Sequence, residues 1–112
     1  MSIALVIRVP KGNGKRDFEE TIHQREAQDF ALSNNQRKIA IRGLKLMILD
    51  QVDKKTVIAV LSHITEQEEK GRFNIYFDSV VRKHYVDVKF PKGYDAHRGC
   101  TIINWDDYFL FD

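Results

Sequence analysis

Cysteine is almost missing from this sequence. A single one, Cys100, stands among 112 residues, so no disulfide can form within the chain. That usage fits a reducing compartment. There are only two prolines and six glycines, too few for collagen-like or proline-rich low-complexity chains. No apolar run approaches the ~20 residues that a membrane helix needs. Neither charge sign dominates: 18 basic residues against 16 acidic give +2, short of the excess of a dedicated polyanion binder. No serine or cysteine sits in a nucleophile motif, and no cysteine–histidine spacing suits a metal. These gaps weigh against an enzyme of the hydrolase or metal-dependent kind and imply no cofactor.

What remains is a globular chain. The apolar fraction is 43% and the charged fraction 30%, with seven Phe, four Tyr and one Trp to fill a core. The length suits one domain, 1–112. The first apolar run, Ile3–Val9, is short and has no basic stretch ahead of it. That argues against a secretory leader and sets the expectation of a cytoplasmic chain with no membrane contact.

Hydrophobic spacing gives the elements. Ile3–Val9 is apolar at nearly every position and is closed by Pro10, which predicts a buried strand. Asp17 with Glu20 three residues on suits a helix start. That helix is expected to run to about Leu32 and to stop at Ser33-Asn34-Asn35, with Phe18, Ile22, Phe30 and Leu32 as a ragged stripe. From Arg37 the period becomes two. Strands are expected through Ile39 and Ile41 and then over Leu44–Ile48, interrupted by Gly43 as a bulge or bend. Thr56–Ile64 returns as the second arm of a hairpin. An acidic loop at 65–71 precedes Phe73, Ile75 and Phe77, and then Val86, Val88 and Phe90, again alternating. A turn or bend is required between those two sets, at Asp78-Ser79 or Arg82-Lys83-His84, because one strand that long would be unusual. Thr101–Trp105 is a last strand. About six strands and one N-terminal helix predict an α+β domain with a mostly antiparallel curled sheet or small barrel.

Candidate chemistry follows from side-chain type. Gly12-Asn13-Gly14-Lys15-Arg16 lies between a strand and a helix start, where a loop can cradle phosphate. Its spacing is not that of a nucleotide loop, and a flexible turn with solvated basic residues is the better explanation. Glu20, His23 and Glu26 would share one helix face, but a carboxylate–histidine metal site needs a second such helix. A solvated face explains them, and no metal site is expected. His63 alternates with apolar residues as a core histidine would, and Cys100 reads as packed.

The cations are more suggestive. Residues 1–50 hold nine basic and six acidic residues, +3, against −1 for the remainder. Lys11, Lys15, Arg16, Arg37, Lys38 and Arg42, joined later by Arg82, Lys83 and Arg98, are candidate phosphate contacts, with Tyr85 as a candidate stacking ring. At the C-terminus, Trp105, Tyr108, Phe109 and Phe111 interleave with three acids. Surface that apolar packs on its own sheet, on a partner protein or on a second copy of the chain.

The stretch Ile41–Asp50, a polar turn, and Thr56–Ile64, followed by Tyr85–Phe90, resembles the central hairpin and next strand of PUA-like domains, including the EVE and ASCH groups. Leu44 stands where those families typically carry Asp. The resemblance implies a small β-barrel that holds a nucleic-acid strand or a modified base in a cleft, and no family site residue transfers. The first expectation is therefore a non-enzymatic nucleic-acid-binding module. The second is a protein-interaction factor, an inhibitor or adaptor such as mobile elements carry. A third is a small nuclease using His84 or His97 with Arg82, Lys83 or Arg98.

Overall fold

The structure is a computed structural model that describes residues 3–9, 17–50, 55–84 and 99–105. Its first element is the expected strand, β1 (Ile3–Val9). Helix α1 (Phe18–Gln24) starts where Asp17 caps it: the Glu20 backbone N–H donates to the Asp17 carboxylate at 2.8 Å. Phe18 and Ile22, one turn apart, are its buried face.

The helix does not reach Leu32. Arg25 takes a left-handed conformation, φ 58, and its N–H closes the last turn on Ile22 and Thr21. The chain then becomes strand β2 (Glu26–Ala31), antiparallel to β5 (Arg72–His84). The ragged stripe thus joins two periods: Phe18 and Ile22 belong to a helix, whereas Ala27 and Phe30 belong to a strand whose register shifts between them, with Asp29 at φ 67.

Ser33-Asn34-Asn35 is a beginning and not a stop. Ser33 caps a second helix, α2 (Asn34–Ile39), replacing the strand expected from Arg37. Gln36 donates its backbone N–H to Ser33 Oγ at 3.2 Å, and its side-chain oxygen accepts the Ser33 N–H at 2.9 Å, a reciprocal capping box. Gly43, at φ 98, turns the chain into β3 (Lys45–Asp50).

The hairpin stands as expected: β3 pairs antiparallel with β4 (Lys55–Glu66), which takes in Thr65 and Glu66 from the expected acidic loop. β5 has no turn at Asp78-Ser79. It bends there through a bulge, with Ser79 at φ 55 and Ser79–Val80 set against Ala59, and runs on to His84. A second shift leaves Ser62 as an extra residue on β4. Two bulges in the longest strand pair add local twist, which curls the sheet into a half-barrel. The last described strand, β6 (Cys100–Asn104), lies antiparallel to β1.

The sheet order is β2-β5-β4-β3-β1-β6, and only the β1/β3 pair is parallel. The α+β curled sheet is as expected, with two helices where one was expected. The main core lies on the helix side: Leu5, Ile7, Leu46, Ile48, Leu61, Ile75 and Phe77 under Phe18, Ile22, Phe30 and Ala40. A second cluster, Ala4, Val6, Met47, Leu49 and Ile103, buries the other face of the central strands. Burial on both faces is why residues 4–7 of β1 and 46–49 of β3 read as unbroken apolar runs. Cys100 is buried, as expected.

Candidate nucleic-acid interface

Helix α2 carries two exposed cations, Arg37 and Lys38. Asn34, Arg37 and Lys38 stand at i, i+3 and i+4 and share one exposed face. Gln36 and Ala40 are buried on the other. The Gln36 side-chain amide donates to the Cys100 carbonyl at 3.2 Å, so one residue caps the helix and ties it to β6. Fixed in this way, the exposed face meets Ile64 of β4 and Phe73 of β5 across an open cleft of about 450 Å³. The cleft has two cations, one carboxamide and an apolar floor.

Among the described residues, no carboxylate holds Arg37. Its guanidinium carbon lies 5.1 Å from the centre of the Phe73 ring, a cation–π contact that leaves the charge uncancelled. From Phe30 to Leu49 the chain has four cations, Arg37, Lys38, Arg42 and Lys45, and no acid. Arg37, Lys38 and Arg42 are exposed and form no ion pair with any described residue. Arg42 sits in the turn at Gly43. Lys45 is set differently, with its Nζ 4.6 Å from the Trp105 ring centre on the opposite sheet face.

Arg82 has another fate. Both its terminal nitrogens donate to the Glu19 carboxylate, at 2.9 and 2.8 Å, and Lys55 approaches the same group at 3.5 Å. The hydrogen bond from Arg82 lowers the Glu19 carboxyl below its ordinary value of 4.5 and raises Arg82 in turn. These side chains are about half exposed, so solvent screens the pair and its energy is small. Eight residues of β5 lie between Phe73 and Arg82, about 30 Å of strand from one to the other. The cations grouped in sequence therefore do not make one surface.

The remaining expectations divide by position. Lys83 lies on β5 opposite Thr56, half-buried. Lys11, Lys15, Arg16, Tyr85, His97, Arg98, Tyr108, Phe109 and Phe111 lie outside the described residues. Trp105 is half-buried and packs on the second cluster of its own sheet. His63 is not a core residue. The bulge at Ser62 places it on the outer face, exposed and stacked on Tyr76 with ring centres 4.4 Å apart and planes 7° from parallel. Glu26 belongs to β2, so it shares no helix face with Glu20 and His23. Among the described residues, no three His, Cys, Asp or Glu side chains gather as metal ligands, and no helix is long and apolar enough to cross a membrane.

Sequence reasoning singled out Arg37 and Lys38 but missed Asn34, Ile64 and Phe73. The missed signal is Ser33-x-x-Gln36, a capping-box spacing that starts a helix and puts Asn34 beside both cations. Comparison with protein-family models, with curated proteins and with solved structures found no match.

Proposed function

We propose that this chain is a non-enzymatic module that binds a single-stranded nucleic acid through the α2 face. The observation that carries the reading is Arg37 and Lys38 lining an open cleft, with Arg42 in the turn that follows α2, all three exposed and without ion pairs to any described residue. A cation already matched by a carboxylate gains little from a phosphate. One held over an aromatic ring keeps its full attraction. The likeness of the β3/β4 hairpin to PUA-like domains, which hold nucleic acid in a cleft, agrees with this reading.

Three phosphate contacts on a single strand give a slope of log affinity against log salt of about −2, or roughly a 15-fold loss between 50 and 200 mM salt. Fluorescence anisotropy with a labelled ten-nucleotide strand measures it. Replacing Arg37, Lys38 and Arg42 together by glutamine is expected to abolish both the binding and the slope, while Arg82→Gln leaves both unchanged. No binding by the unaltered protein at 50 mM salt would overturn the proposal. So would equal losses from the two sets of substitutions.

A further inference from the structure

We infer that Arg37 is a stacking platform for one unpaired base, with the cleft between α2, β4 and β5 as the pocket for that nucleotide. The inference rests on the nucleic-acid reading above and gives it a named subsite. Phe73 is only 3% exposed, so its ring cannot receive a base directly. Arg37 is exposed, lines the cleft and lies over that ring. The guanidinium carbon stands 5.1 Å from the centre of that buried ring, and the same side chain lines the cleft, so the ring backs the cation on the core side.

Unpaired bases stack on guanidinium planes as they do on aromatic rings. Here the guanidinium already has a ring contact, and its planar fork loses less side-chain freedom on binding than a flexible ammonium would. The other walls match the remaining parts of a nucleotide. Lys38, next in sequence, supplies a point charge for a phosphate. The Asn34 carboxamide offers both a donor and an acceptor to a base edge. Ile64 gives an apolar wall for the base or the sugar carbons. A volume of about 450 Å³ lies within the range of small-ligand pockets.

A charge-only contact and a stacking contact differ in what a lysine can replace. Arg37→Lys keeps the charge and removes the plane. The test uses a thymidine ten-mer and an abasic ten-mer of equal length, both labelled, at 50 mM salt. The unaltered protein is expected to bind the thymidine strand about tenfold more tightly, in line with the worth of one stacked base. Arg37→Lys is expected to bind both strands alike, near the abasic affinity. Arg82→Lys, remote from the cleft, keeps the full preference. Equal binding of both strands by the unaltered protein overturns the stacking inference and leaves the phosphate reading standing. A preference that survives Arg37→Lys, or that Arg82→Lys also removes, overturns it too. Failure of the unaltered protein to bind either strand removes both readings together.

Discussion

The two ends of β5 each order an arginine, by opposite means. At one end, the Phe73 ring underlies Arg37 and leaves its charge free. At the other, Glu19 grips Arg82 with both carboxylate oxygens and cancels it. Side-chain order is therefore separable from charge neutralisation. An arginine placed over a ring keeps its charge for an anion, whereas one placed on a carboxylate has a counter-charge at hand. Counting cations along the chain treats the two alike.

The Phe73 end belongs to the core and the Arg82 end to the surface. Phe73→Ala should then have the largest effect. The ring is almost fully buried beside Ile75 and Phe30, and its loss should cost about 3–5 kcal/mol, read as a lower midpoint in urea. A cost below about 1 kcal/mol would mean that the ring is not part of the core.

Next is Gln36→Ala, which removes the tie between α2 and β6. It leaves the Ser33 N–H and the Cys100 carbonyl without this partner, at a cost of about 1–3 kcal/mol. Amide hydrogen exchange should accelerate in α2 and β6 more than in β4. Uniform acceleration would show that the tie is not local.

The smallest effect is expected at Glu19→Gln, under about 1 kcal/mol at neutral pH because the pair is half exposed. Its signature is the pH dependence. Folding lowers the Glu19 carboxyl below 4.5, so its contribution is complete above that value and fades as pH falls through the lowered folded value. The substituted chain lacks that contribution at every pH. Melting curves of the two proteins should therefore differ near neutrality and converge in acid. A gap that widens toward low pH would reverse the assignment.

Much of the sheet was legible because burial imposes its own spacing. The β3/β4 hairpin, the last strand and the packed Cys100 follow from alternation and apolar runs. The parts that were not legible share a physical cause. Arg25, Asp29 and Ser79 take left-handed backbone conformations without being glycine, and each breaks a period that the residue type gives no reason to break. Arg25 turns an expected long helix into a short helix and a strand, whereas at Ser79 the expected turn or bend is a bulge that lets the strand continue. The site shows the same division. Arg37 and Lys38 are visible as cations, but only tertiary folding brings Ile64 and Phe73 to them.

The Gln36–Cys100 hydrogen bond also has a temporal consequence. The strand beside β1 comes from beyond residue 99, so β1 waits for β6 to cover this edge. Until β6 emerges, α2 lacks the Gln36–Cys100 tie. Pairings this distant in sequence also place the domain among slower folders, in the range of milliseconds to seconds. On a ribosome the tie would form well after the residues of α2 have been made, and the α2 cations would be exposed before their geometry is set.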